Sequence, residues 1–167
     1  MYTSVENFLQ TYGHEREGTL KLMKQFTDTS LGQSVANDHR TLGRVAWHLT
    51  TTYPEMMGIA GVPFTSLDKE APLPKSAGQI ADGYEKVTGE MLEFIKKNWT
   101  DATLKEVKNF YGMDWSLGLA LDILIRHEIH HRGQMTVLMR QAGLNVPGVY
   151  GPSRDEWSGM GMQPPAV

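Results

Sequence analysis

The sequence predicts an all-α protein, a four-helix bundle formed by a single domain over residues 1–167. Four long segments repeat apolar residues at spacings of three and four, as amphipathic helices do. No stretch shows a convincing sheet pattern, and the second and third segments are joined by a long connection that fits a crossover between distant helix ends. A chain of 167 residues can bury a core without disulfides.

The first helix is predicted from Val5 to Phe26, with Ser4 as its N-cap. The second is expected to begin at Asn37 or Asp38, either of which can cap a helix, and to continue to residue 61. Its inner stripe holds Leu42, Val45, Leu49, Thr52 and Met56, and His48 lies on the same stripe. Pro54 should kink or loosen this helix roughly one turn beyond His48.

The third helix is predicted from Ser76 to Trp99, after a connection over residues 61–78. Residues 100–115 form either a short strand pair or an ordered loop around a turn at Tyr111 and Gly112.

The fourth helix runs from Ser116 to Gly143, a natural C-cap. The remaining residues, rich in Gly and Pro, should be irregular. Tyr150 and Trp157 indicate that this tail packs on the bundle.

Composition excludes several classes of function. The net charge of −3 leaves no basic surface for nucleic acid. The absence of cysteine excludes disulfides, thiolate metal ligands and a cysteine nucleophile. The N-terminal sequence lacks the pattern of a signal peptide, and no window is apolar enough to span a membrane. We therefore expect a cytoplasmic protein that binds neither nucleic acid nor membrane.

Two histidines interrupt the apolar seam of the fourth helix. His127 and His131 are four residues apart and therefore lie on one face, a spacing that suits two imidazoles sharing a metal ion. His48 on the second helix supplies a third inward histidine. An unpaired buried imidazole is costly, so the alternative is three core histidines satisfied by backbone or hydroxyl groups. The convergence of three histidines inside one bundle favours a metal site over three separately hydrogen-bonded core histidines.

Three neutral imidazoles leave coordination positions open, as in a catalytic site, and zinc and nickel both suit them. Gln134 and Tyr53 are the candidates to orient a bound ligand, although Gln134 could equally be an ordinary polar residue of the helix. His130 could contact a metal-binding residue without binding the metal itself, or it could lie on the surface.

The sequence from His127 to His131 also matches H-E-x-x-H, in which the Glu of a zinc peptidase acts as general base. The extended form of the motif is missing, although Glu156 could serve as a third ligand. Helical geometry places Glu128 away from His127, on the flank, where it would pair with Arg132 four residues later. The peptidase is therefore the weaker alternative.

Ile125 and Ile129 form a second apolar stripe nearly opposite the histidines. Contact with a neighbouring helix of the same bundle and a homodimer interface explain it equally well.

Two segments resemble the DinB-like family. HEIHHRGQ (residues 127–134) and the following LMRQAGLNVPGVYGPSRDEW are similar to that family's last helix and tail, and GRVAWHLT (residues 43–50) to its second helix. The resemblance implies a four-helix bundle of up-up-down-down topology, often dimeric. It also implies a metal held by His48, His127 and His131, with His130 outside the ligand set.

Members of that family include metal-dependent S-transferases and isomerases that use low-molecular-weight thiols. The resemblance therefore implies an enzyme that activates a small thiol on a divalent metal and acts on a small-molecule substrate. A non-catalytic metal-binding protein linked to stress or DNA damage is the alternative.

Overall fold

Four long helices and one short β-hairpin form the computed structural model, which describes residues 1–166. The elements are α1 (Val5–Met23), α2 (Leu42–Thr52), α3 (Ala77–Asn98), β1 (Val107–Phe110), β2 (Met113–Ser116) and α4 (Leu117–Gln141). α1 and α2 each pack against both α3 and α4. This mostly helical arrangement is compatible with the predicted bundle. The up-up-down-down direction of the helices stays a prediction.

Local capping signals fix both ends of α4 and the start of α1. The Ser4 hydroxyl accepts a hydrogen bond from the Asn7 N–H (3.3 Å), and the Ser116 hydroxyl accepts one from the Leu119 N–H (3.2 Å). Gly143 ends α4 with a φ of +73°, a conformation that glycine adopts without strain. The predicted caps at Ser4 and Gly143 and the predicted start of α4 at Ser116 are confirmed.

The predicted start of α2 is wrong. Residues 34 and 41 form an antiparallel bridge, and Asp38 turns the intervening loop with a φ of +62°. The helix therefore begins only at Leu42, where the Thr41 hydroxyl accepts a hydrogen bond from the Arg44 N–H (3.3 Å). A non-local bridge thus overrides the caps available at Asn37 and Asp38.

α2 passes directly into a π-helical turn, Tyr53–Met57. Pro54 lies in this turn and has no N–H to donate to the regular helical ladder. The predicted loosening of the helix just beyond His48 is confirmed. Widened turns of this kind are frequent beside functional sites.

The strand pair, one of two alternatives for residues 100–115, is confirmed. β1 and β2 pair in antiparallel register from Val107 opposite Ser116 to Phe110 opposite Met113. Tyr111 and Gly112 both have positive φ (54° and 84°), as a two-residue hairpin turn requires. The hairpin leads straight into α4, so its tip is placed by the same helix that carries the histidine pair.

The C-terminal tail packs on the bundle, as predicted. Val146 is buried, and Val149 contacts the core. The tail is also fastened by an ion pair between Arg140 and Asp155 and another between Lys21 and Glu156 (3.1 Å). Within residues 1–166, every helix is too short or too polar to cross a membrane.

Candidate metal centre

Three imidazole rings converge between α2 and α4. His127 and His131 lie one turn apart on α4, and His48 faces them from α2. The Nε2 atom of His127 is 3.3 Å from that of His48 and 3.0 Å from that of His131. One ligand nitrogen from each residue lies within 4.8 Å of the others. The structure therefore brings together all three histidines that the sequence predicts as metal ligands.

The separation of these nitrogens suits a shared cation. Nitrogens bound tetrahedrally to zinc at about 2.0–2.1 Å are about 3.3 Å apart, close to both measured distances. Burial, reinforced by neighbouring positive charge, lowers the pKa of His48 and of His127 to about 4. Burial also lowers the pKa of His131. All three rings are thus neutral at physiological pH and can offer nitrogen lone pairs to a metal.

Gln134 supports this site from the same helix. The His131 Nδ1–H donates to the Gln134 Oε1 atom across 2.7 Å, which leaves the lone pair of His131 on Nε2, toward the other histidines. The amide nitrogen of Gln134 lies 3.2 Å from His130 Nε2. His130 is exposed and stands outside the histidine group. His127 Nδ1 is buried and has no hydrogen-bond partner in the part of the chain that the structure describes.

Tyr53 lies apart from the histidine group, within the core. Its side chain is fully buried, and its hydroxyl donates to Glu128 and accepts a hydrogen bond from Tyr12 (2.8 Å). Tyr53 lines neither of the two pockets that border the histidines. Of the two side chains predicted to orient a ligand, only Gln134 therefore lies beside the histidines.

The predicted position of Glu128 on a helix flank is wrong. Its carboxylate is fully buried and accepts hydrogen bonds from Thr19 (2.6 Å), Tyr84 (2.5 Å) and Tyr53. We call these four residues the carboxylate clamp. Thr19, Tyr53 and Tyr84 come from α1, the π turn and α3, so the clamp joins three other parts of the bundle to α4. Burial raises the pKa of Glu128, opposed by the hydrogen bonds it accepts.

The predicted pair between Glu128 and Arg132 is also wrong. Arg132 is buried and forms its ion pair with Glu15 of α1 (2.5 Å), and Tyr150 of the tail bonds to both. A carboxylate enclosed by three hydroxyls cannot activate water as the general base of a peptidase. Glu156 binds Lys21 and the backbone N–H groups of Gly148 and Ser153, so it is committed to the tail. Neither acid supports the peptidase alternative.

Two pockets border the histidine group. One, of about 330 Å³, is lined by His39, Arg40, His131 and Gln134 together with apolar side chains. The other, of about 210 Å³, is lined by His48 and His127. We call them the arginine pocket and the hairpin pocket. The group is thus accessible from two directions and differs from a closed structural metal site.

The hairpin pocket contains residues that the sequence did not single out for function. Tyr111 and Trp115 of the hairpin line it together with Glu55 of the π turn. Burial and the neighbouring Glu55 carboxylate raise the pKa of Tyr111 to about 12, so its hydroxyl stays protonated. The sequence predicted a turn at Tyr111 and Gly112. It did not predict that the hairpin would pack beside the histidines, because that depends on contacts between distant parts of the chain.

Comparison with known proteins identifies the family to which the chain belongs. The sequence profile of the DinB family matches residues 1–165. The chain belongs to the DinB family. A Bacillus subtilis (strain 168) relative, uncharacterized protein YrdA, is 41% identical over the full length of both chains. The resemblance to DinB-like proteins is therefore confirmed.

Two solved structures are similar to this DinB-family chain. A DinB-like protein from Bacillus cereus ATCC 10987 is 48% identical, with a TM-score of 0.86 over 90% of this chain and 100% of that one. A DinB-like protein from Bacillus subtilis is 17% identical, with a TM-score of 0.69 over 86% of this chain and 97% of the other. At that identity, the second comparison supports the fold alone.

Proposed function

We propose that this DinB-family protein is a metal-dependent enzyme that transfers a low-molecular-weight thiol to a small electrophile. The observation that carries the proposal is the convergence of His48, His127 and His131, as neutral imidazoles, at a place open to two pockets. Zinc and nickel both suit three imidazole ligands. The proposal places the enzyme in the cytoplasm, where small thiols are kept reduced.

The histidines would hold the cation without neutralising its charge, because imidazole is an uncharged ligand. Bound there, a divalent cation lowers the pKa of a thiol and so supplies thiolate at neutral pH. Gln134 keeps His131 in the tautomer that such binding needs. The chain has no cysteine, so the reacting sulfur must belong to a cosubstrate.

In the proposed reaction, the thiol sulfur forms a bond to the electrophilic carbon while that carbon releases its leaving group. The leaving group takes the bonding electrons, and the thiol proton passes to water. The two pockets offer separate places for the thiol and the electrophile, which favours reaction between two bound partners.

The test is a conjugation assay with zinc-loaded and nickel-loaded protein. Cysteine, glutathione and 2-mercaptoethanol are each combined with 1-chloro-2,4-dinitrobenzene, and the product is followed by absorbance. We expect acceleration with at least one thiol, lost in the His48→Ala variant and retained when the exposed His14 is replaced by alanine. Rates equal to those of the His48→Ala variant for every thiol would contradict the enzyme and favour the non-catalytic metal-binding protein.

A homodimer also belongs to the proposal. Ile125 is buried within its own bundle, which accounts for that part of the predicted second stripe. Ile129, the other member of that stripe, is 37% exposed on α4 and offers apolar surface for a second copy. Light scattering after size-exclusion chromatography should give twice the mass of one chain, and a monomer at all concentrations would contradict it.

A further inference from the structure

The arginine pocket combines the polar side chains of His39 and Arg40 with an apolar wall. Val35, Val45 and Val137 provide apolar lining, while Arg40 provides the charge. Val35 and Val137 are more than half exposed, so the cleft presents apolar surface to solvent. Concave apolar surface with a few polar groups at one end is typical of a small-molecule site.

Arg40 carries a positive charge on the wall of this pocket. Among residues 1–166, the ion pairs involve other basic groups, and Arg40 takes part in none of them. Arg40 and His131 line the same pocket, so the guanidinium lies on the side of the cleft that leads to the histidine group. An anion bound by Arg40 would therefore lie close to the histidines.

The loop that carries Arg40 is held in place. Ser34 and Thr41 form a bridge across its base, and the Leu42 N–H donates to the Gln33 carbonyl (2.7 Å). A guanidinium on an ordered loop loses less freedom when it binds an anion than one on a mobile segment would. The loop conformation thus favours recognition at this position.

The hairpin pocket has the opposite character. Among the described residues, its lining contains the Glu55 carboxylate and no Lys or Arg side chain, so it disfavours an anion. The two approaches to the histidines therefore differ in charge, and a negatively charged substrate is directed to the arginine pocket.

From these observations, we infer that the arginine pocket binds a small carboxylate-bearing molecule with an apolar body, its carboxylate on Arg40 and its reactive end toward His131. The inference deepens the proposed function and rests on it, because the pocket is a substrate pocket only if the histidine group is the reaction centre. Arg40 can bind a carboxylate through two parallel N–H donors, whereas lysine offers only a point charge.

The first test uses a matched pair of thiols on the cobalt(II)-loaded protein. 6-Mercaptohexanoate and 6-mercaptohexanol share the thiol and the apolar chain and differ only in the terminal group. The sulfur-to-cobalt charge-transfer absorption reports their binding. We expect the carboxylate to bind about tenfold more tightly, as a charged hydrogen bond predicts. The preference should vanish in Arg40→Gln and partly return in Arg40→Lys.

Arg44→Gln is the control, because Arg44 is an exposed arginine in the first turn of α2 that does not line the pocket. The Arg44→Gln variant should still bind 6-mercaptohexanoate more tightly than 6-mercaptohexanol. Equal affinity for the two thiols in the natural protein, or a preference that survives Arg40→Gln, would overturn the inference and leave the metal site standing.

A second test distinguishes this failure from failure of the proposed function. Saturation-transfer NMR on metal-free protein compares hexanoate with 1-hexanol, neither of which needs a metal. Hexanoate should bind more tightly and depend on Arg40. If no thiol gives a charge-transfer band but hexanoate still shows this dependence, the thiol chemistry fails and the carboxylate pocket stands. No dependence on Arg40 in this experiment overturns the pocket.

Discussion

His131 is positioned by a partner on its own helix. Its Nδ1–H donates to Gln134, and this bond directs Nε2 toward His127. Because such supporting bonds fix the ring and its tautomer, we expect Gln134→Leu to weaken zinc affinity about 10–100-fold. Gln134→Glu, which retains an acceptor oxygen, should bind zinc at least as tightly as the natural protein.

Competition with a chromogenic chelator measures both affinities. Gln10→Leu, a change of the same kind at an exposed position of α1, serves as the control and should leave zinc binding unchanged. Equal affinities for Gln134→Leu and Gln10→Leu would show that Gln134 does not support the site.

The buried histidines also give the metal-free protein a defined pH dependence. The pKa values of His48 and His127 are about 4 in the folded chain, against about 6.5 in the unfolded chain. The unfolded state therefore binds protons first as pH falls, and the free energy of unfolding should decrease between about pH 6.5 and pH 4. Above about pH 6.5, these histidines add no pH dependence to the free energy of unfolding.

Urea unfolding at several pH values tests this expectation. A variant with glutamine in place of His48, His127 and His131 should show a shallower decrease, and the difference between the two proteins isolates the histidines from other titrating groups. Identical slopes would mean that these rings do not resist protonation in the folded state.

Single residues differ in how far the sequence could predict them. His127 and His131 are neighbours through helical spacing, and His48 follows from the inward stripe of a second helix. Glu128 could not be placed in this way. The i,i+4 rule assigned it Arg132, but its partners are up to 109 residues away, on parts of the chain whose packing the sequence does not reveal.

Among the elements, α4 is linked by the carboxylate clamp to α1, the π turn and α3. Removing the carboxylate in Glu128→Ala leaves the hydroxyls of Thr19, Tyr53 and Tyr84 buried without their acceptor. At about 1–3 kcal/mol for each unsatisfied group, we expect a loss of about 3 kcal/mol or more in the free energy of unfolding. Glu128→Gln retains one acceptor oxygen and should lose less.

Chemical denaturation supplies this measurement. Glu17→Ala, an exposed change on α1, should alter the free energy of unfolding by about 0.5 kcal/mol at most. If Glu128→Ala lowered the free energy of unfolding by no more than Glu17→Ala does, the carboxylate clamp would not stabilise the fold as we expect.

The limits of sequence prediction are visible in the elements too. The caps at Ser4, Ser116 and Gly143 are local, and the helix ends that depend on them were predicted. The start of α2 depends on the bridge between residues 34 and 41, a contact that forms only after the loop folds back. That same loop carries Arg40. Because the start of α2 was predicted wrongly, Arg40 was not recognised as a residue beside the candidate site.

For the whole molecule, a bound cation would connect α2 to α4 and stabilise the fold by mass action. At a free zinc concentration about 100 times the Kd, the added stability is about 2.7 kcal/mol. We expect zinc to raise the Tm of the natural protein and of His14→Ala, whose histidine is exposed. His48→Ala should show no comparable rise. Equal zinc-induced shifts in His48→Ala and the natural protein would place the stabilising metal elsewhere.

The most direct measurement is a crystal structure of the zinc-reconstituted protein with anomalous diffraction collected on both sides of the zinc edge. We expect one strong anomalous peak within bonding distance of the Nε2 atoms of His48, His127 and His131. A peak at other residues, or none between α2 and α4, would contradict the central claim that these three histidines form a metal site.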